Sequence, residues 1–263
     1  MEKSNEVTIV CISPFRLDSA GDIVRIIEEK EFMVVDMRTI SLDEESDLMK
    51  ASSIFHLAPA RLKENGKHMI AVSFSGKKSI HGVHELVQSW ENSYRNDVVC
   101  ARNTDEVTKL SLFANQERKS SATFSKCTCC IIKPHIVKSR QVGAVIDHIL
   151  SQNFEISAIK LCQLDKSTAT EFFKVYQGVW KEYIHIIDSF CAGPSISLEV
   201  KQENDVVNEF RLAAGPWNVD VARELYPNSI RGLFGKNRVE NAVHCTDLLE
   251  DAAHEIKYFF SVL

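Results

Sequence analysis

One histidine stands among residues that could do chemistry with it. In NRVENAVHCTD, residues 237–247, His244 is preceded by Asn241 and followed by Cys245, Thr246 and Asp247. A neutral imidazole attacks, or relays a proton, through one nitrogen when the other is held by a hydrogen-bond acceptor. A lone histidine is equally a structural polar residue near the end of a domain, so the rest of the chain has to decide. The run CTCC at 127–130 raises a second chemistry, zinc binding. Strand alternation would put Cys127 and Cys129 on one face and Cys130 on the other. No second Cys or His pair follows at a usual spacing, which argues against a metal centre.

The elements that carry these residues occur twice. VTIVCISPFRLDSAGDIVRIIEEKEFMVVDMRTISLD (7–43) parallels CTCCIIKPHIVKSRQVGAVIDHILSQNFEISAIKLCQLD (127–165). Each reads as an apolar strand ending at Pro14 or Pro134, a loop to Gly21 or Gly143, an amphipathic helix, then Phe32 or Phe154 and a second strand. The helices rest on apolar residues at helical spacing, Ile23, Ile26 and Ile27 in one copy and Val145, Ile146, Ile149 and Leu150 in the other. Further helical stretches (44–63, 166–191), third strands (68–75, 194–200), helices (81–90, 206–214) and a short strand with a Thr-Asp helix start complete each copy. The order β-α-β-α-β-α-β-α predicts an α/β sandwich of two tandem ferredoxin-like domains, 1–114 and 126–263, joined by a linker at 115–125 that holds the polar NQERKSSAT.

The copies differ where chemistry would sit. Lys133 in IIKP is matched by Ser13 in CISP, and His244 by Arg102; residues 215–239 have almost no counterpart in the first copy. A site in the second copy is therefore expected to be missing from the first, which reads as degenerate and inactive.

Composition limits the remaining possibilities. The chain is 44% hydrophobic and 25% charged with a net charge of −5, as in ordinary globular proteins. Residues 1–120 hold 16 Lys plus Arg against 19 Asp plus Glu, and the remainder 15 against 17, so neither half favours a nucleic-acid partner. The opening MEKSNEVTIVCISPF has too short an apolar run for a signal peptide, and no run reaches the roughly 18 residues of a membrane span. A cytoplasmic protein with reduced, buried cysteines is expected.

From 126 onward the second copy resembles a nucleoside diphosphate kinase. IIKP, GP at 193–194, Arg211, SIRGLFG at 229–235 and NAVHCTD occur in order, with nine residues between Phe234 and His244. The tandem layout is similar to the two-domain members of that family associated with cilia and flagella. The resemblance implies ping-pong transfer of a γ-phosphate between nucleoside triphosphates and diphosphates through a phosphohistidine at His244. It implies that Glu255 orients the imidazole, that Lys133, Arg211 and Arg231 hold phosphate oxygens, that Asn241 bonds the sugar hydroxyls and that Thr246 is the hydroxyl beside the histidine. Mg²⁺ would arrive with the nucleotide. The base would be clamped within FFKVYQGVWKEY (172–183), where Phe173, Lys174, Glu182 and Tyr183 compete for the contact.

Three positions depart from the family pattern. The usual Lys-Pro-Asp reads Lys133-Pro134-His135, the glycine after the histidine is Cys245, and the phosphate-contacting threonine falls on Trp217. These departures, with the degenerate first copy, keep a second class open: a non-catalytic structural protein of the ciliary or flagellar axoneme, bound to tubulin or other axonemal proteins, with a vestigial nucleotide pocket. Two fused domains could satisfy the family's dimer contact within one chain, so a monomer is expected.

Overall fold

The computed structural model of the chain describes residues 5–64, 66, 68–90, 94 and 97–263. In the first half β1 (Glu6–Ile12) leads through a 3₁₀ turn to α1 (Ala20–Glu28) and β2 (Met33–Ser41). Then come α2 (Glu45–Phe55), α3 (Pro59–Glu64), β3 (His68–Gly76), α4 (Ser79–Ser89), β4 (Val98–Cys100) and α5 (Thr104–Ala114). The second half begins with β5 (Cys127–Ile132), α6 (Pro134–Lys138), α7 (Val142–Ser151), β6 (Glu155–Cys162), α8 (Lys166–Phe172) and α9 (Tyr183–Cys191). It ends with β7 (Ser195–Lys201), α10 (Val206–Ala214), α11 (Val219–Leu225), α12 (Ile230–Phe234), β8 (Val243–Cys245) and α13 (Ala252–Lys257). No helix among the described residues is long and apolar enough to cross a membrane.

The strands form one eight-stranded sheet in the order β4-β1-β3-β2-β6-β7-β5-β8. Each set of four follows the antiparallel order of a split βαβ motif, and the second set mirrors the first about the β2–β6 seam, where Arg38 pairs with Lys160. One core runs across the whole of one face under α1, α4, α7 and α10; the opposite face carries two separate cores, one in each half. Alternation along CTCC divides the cysteines as the pattern requires, with Cys127 and Cys129 in the second-half core and Cys130 in the shared one.

Two devices join the halves. On the shared face α1 crosses α7 backbone to backbone: a Cβ on Gly21 would lie 2.1 Å from the Asp147 nitrogen, and one on Gly143 2.1 Å from the Arg25 nitrogen. Only glycine permits that approach. Glu28, at the end of α1, accepts from the backbone nitrogens of Val142 (3.3 Å) and Gly143 (2.8 Å), satisfying the first turn of α7. Burial pushes its carboxyl up to about 7, partly offset by those two bonds and by Arg140. On the opposite face residues 115–126 form a strap. Arg118 pairs with Asp47 at 2.7 Å, Ser121 bridges Thr39 and the Ser157 carbonyl, and buried Glu199 accepts from the nitrogens of Thr123 and Phe124 (2.7 Å each) and the Ser157 hydroxyl (2.5 Å).

Several expected elements are altered. Helix 44–63 breaks at His56, whose left-handed conformation (φ 53°) ends α2. Helix 166–191 splits into α8, a 3₁₀ turn at Lys174–Tyr176 and α9. The first Thr-Asp pair opens its helix as expected, Thr104 being the first residue of α5, although Asn103 is the cap and accepts from the Glu106 nitrogen; the second does not, since α13 starts only at Ala252 and the Thr246 hydroxyl bonds Glu255.

Candidate active site

Edge strand β8 presents Val243 and Cys245 to the shared core, so His244 points to the opposite face, among the second-half aromatics. The chain enters β8 through a tight turn. The Val243 nitrogen donates to the Asn241 carbonyl at 2.9 Å while Ala242 sits at φ 71°, the geometry of a γ-turn that L-residues adopt only under strain. At the start of this turn the buried Asn241 amide donates to the Trp217 carbonyl at 3.3 Å.

A relay orients the imidazole. The Cys129 nitrogen donates to the Thr246 hydroxyl (2.9 Å), which donates to Glu255 Oε2 (2.8 Å), and the same oxygen lies 3.2 Å from His244 Nε2. A carboxylate accepts, so Nε2 carries the proton and Nδ1 keeps its lone pair. That is the tautomer a nucleophile needs. Nδ1 makes no hydrogen bond among the described residues.

Lys133 and Arg231 converge beside the histidine. Lys133, fully buried, donates from Nζ to the Val239 carbonyl at 2.8 Å. Arg231, buried on α12, donates to the carbonyls of Gly215 (2.7 Å) and Val243 (3.2 Å) and lies 3.6 Å from Cys245 Sγ. Neither bonds a carboxylate among the described residues. Burial, and then Arg231, hold the Lys133 ammonium well below its ordinary range. His135 remains neutral beside it, lowered to about 3 by burial and by Lys133 and Lys236. Arg231 Nε, Asn241 Oδ1 and His135 Nε2 are buried without hydrogen-bond partners among the described residues.

Both cations face the indole of Trp217, Lys133 Nζ at 5.2 Å from its ring centre and Arg231 Cζ at 5.5 Å. Trp217 packs against Trp180 (4.7 Å), which stacks on Tyr176 at 3.8 Å and 11°. Tyr176 in turn reaches Asp247 at 2.9 Å. With Phe172 and Phe173 edge-on to the imidazole at 5.7 and 5.3 Å, this stack leaves His244 only 2% exposed. Residues 215–239 supply Trp217, Arg231 and the Gly215 and Val239 carbonyls, so the second half's extra segment provides one cation, the carbonyls that hold both, and their cover.

The structure thus gathers His244, Lys133, Glu255, Arg231, Asn241 and Thr246, and sets two expected residues apart. Arg211 stands on α10, about two-fifths exposed, its guanidinium held by the Asp247 carboxylate and carbonyl. Tyr183 begins α9 with its hydroxyl 3.5 Å from the Thr170 carbonyl, outside the stack. Phe173, the other aromatic candidate, is fully buried against Phe190. The aromatics that stack over the site are instead Tyr176 and Trp180, both within 172–183. At the equivalent positions of the first half, Ser13 bonds Asp97 and exposed Arg102 pairs with Glu106.

Residues 126–262 match the family model described as nucleoside diphosphate kinase. Nucleoside diphosphate kinase homolog 7 of Mus musculus is 42% identical over 144 residues, 55% of this chain and 36% of that protein. Nucleoside diphosphate kinase of Aquifex aeolicus (strain VF5) is 31% identical over 136 residues, covering 52% of this chain and 94% of the relative. A crystal structure of the Aquifex aeolicus enzyme aligns with 52% of this chain and 95% of its own, at 29% identity and a TM-score of 0.49. The chain spans just over a third of the length of the homolog 7 proteins it matches.

Proposed function

Since the chain belongs to the nucleoside diphosphate kinase family, we propose that its second half binds a nucleoside triphosphate and takes the γ-phosphoryl group on His244 Nδ1, behind an aromatic gate. The observation that carries this reading is the pair of buried basic side chains, Lys133 and Arg231, which both approach the Trp217 ring, at 5.2 and 5.5 Å from its centre, with no carboxylate hydrogen-bond partner among the described residues. Buried charge of one sign is costly unless paired. A polyphosphate supplies the opposite charge, and the cation–π contacts to Trp217 are a weaker substitute.

In the transfer, Nδ1 attacks phosphorus as the bridging oxygen leaves with the nucleoside diphosphate, and a second diphosphate later takes the group back. Glu255 supports the positive charge that develops on the imidazole, and Lys133 and Arg231 stabilise the equatorial oxygens. Mg²⁺ would be carried on the phosphate oxygens of the nucleotide. When bound there, the ion neutralises phosphate charge. Entry requires Trp217, Trp180 and Tyr176 to swing away, and recruiting Arg211 or Tyr183 requires each to leave its present partner.

The sealed histidine favours a second reading: a non-catalytic structural member, in a cilium or flagellum as the resemblance to two-domain members implies, bound to axonemal proteins such as tubulin and using the first half as a packing surface. Incubation with γ-labelled ATP and Mg²⁺, read as acid-labile phosphohistidine, separates the two. Label on the wild type that vanishes in His244→Ala supports the kinase. Label that appears only in Trp217→Thr, and depends on His244, identifies a closed gate and a structural role for the native chain. Absence of label from both, with ATP still bound, rules out the kinase reading.

A further inference from the structure

The family's phosphate chemistry makes no use of Cys130 and Cys245, yet the sheet places them directly opposite each other on β5 and β8. Hydrogen bonds from the Thr246 nitrogen to the Cys129 carbonyl (3.2 Å) and from the Lys133 nitrogen to the Ala242 carbonyl (3.0 Å) mark 129/246 and 133/242 as the bonded pairs of this ladder. Antiparallel pairs alternate, so 130/245 is a non-bonded pair, in which Cα atoms approach to roughly 4.5 Å. That separation lies within the range a disulfide spans, and both side chains enter the same core. The other strand cysteines face different residue types: Cys11 lies opposite Ala71 and Val99, Cys100 opposite Val10, Cys127 opposite Lys201, Cys129 opposite Glu199 and Cys162 opposite Ser195.

We propose that Cys130 and Cys245 form a cross-strand disulfide when the protein meets a hydroperoxide, stapling the strand that carries His244. Cys245 is the attacking thiol, since Arg231 lies 3.6 Å from its sulfur and favours the thiolate. Its sulfur attacks a peroxide oxygen; the O–O bond breaks, and the departing hydroxide takes up the thiol proton as water. Cys130 then attacks the sulfenic sulfur, forming the S–S bond and releasing the second water. Two thiols are oxidised and one hydrogen peroxide is reduced to two waters. Burial raises both thiols, so access is set by β8, a three-residue strand at the sheet edge that parts from β5 more readily than an inner strand.

The folded full chain is treated with stoichiometric hydrogen peroxide, denatured into N-ethylmaleimide and digested with trypsin. The expected product is a dithiothreitol-reversible link between peptides 127–138 and 239–257. Because the first peptide also holds Cys127 and Cys129, the link should persist in Cys127→Ser/Cys129→Ser and disappear in Cys130→Ser and in Cys245→Ser. The mapped link in the Cys127→Ser/Cys129→Ser chain decides the matter even if Cys130→Ser folds poorly. Eight maleimide labels remaining after peroxide, a link that survives Cys130→Ser, or a bond mapping to Cys162 and Cys191 instead would overturn the proposal.

Discussion

Replacing Glu28 with Gln should remove a pH dependence of stability that arises at the seam between the halves. In the folded protein the carboxyl holds its proton up to about pH 7, against an ordinary value of 4.5. Between those two values the folded state binds a proton that the unfolded state has released, so raising the pH withdraws stability. Below 4.5 both states are protonated and above 7 both are ionised, and the contribution stops changing. The separation of about 2.5 pH units, at 1.36 kcal/mol each, amounts to about 3 kcal/mol. The amide that replaces the carboxyl has no proton to exchange, and its carbonyl still accepts from one of the two backbone nitrogens. Urea unfolding of wild type and Glu28→Gln from pH 4 to 8 gives a stability difference in which the other titrating groups cancel. Wild type should lose about 3 kcal/mol relative to the variant across that range, with the steepest change between 5 and 7. A difference constant to about 0.5 kcal/mol, or one that moves in wild type's favour as pH rises, would show that the carboxyl is not held in the α1–α7 contact as described.

Three further outcomes are expected. Gly143→Ala inserts a methyl 2.1 Å from the Arg25 nitrogen, where helix backbones cannot give way locally, and should cost about 3 kcal/mol or more; a fall in melting temperature of under a few degrees would contradict the crossing. Glu199→Ala orphans the Thr123 and Phe124 nitrogens and leaves the Ser157 hydroxyl only the backbone carbonyl of residue 199 at 3.3 Å, so it should cost roughly 3 kcal/mol and speed amide exchange at 123 and 124, while unchanged exchange would refute the strap's attachment. If His244 is phosphorylated, Glu255→Ala should slow labelling roughly 100-fold; Glu255→Gln, which still accepts from Nε2, should recover part of it, and equal losses in the two variants would argue against an orienting role.

The repeated pattern of 7–43 and 127–165 was sufficient to anticipate two split βαβ halves, because apolar periodicity records locally which face of each strand or helix avoids water. It also anticipated which face each cysteine of CTCC takes. The family motif named His244, Lys133, Arg231, Asn241, Thr246 and Glu255, and the fold brings those six together. It could not locate the aromatics that cover the site, since 172–183 is a chain of short turns without a period, and Tyr176 and Trp180 find their stacking partner in Trp217, far along the sequence. Nor does periodicity record how an apolar face is covered. The glycine crossing of α1 and α7, the strap on Glu199, the γ-turn at Ala242 and the meeting of Cys130 with Cys245 all join segments distant in sequence or depend on backbone geometry that residue types do not encode. Closure of the chain on itself decided them: once the β2–β6 seam forms a single sheet, each segment's surroundings are set by whichever distant segment packs against it.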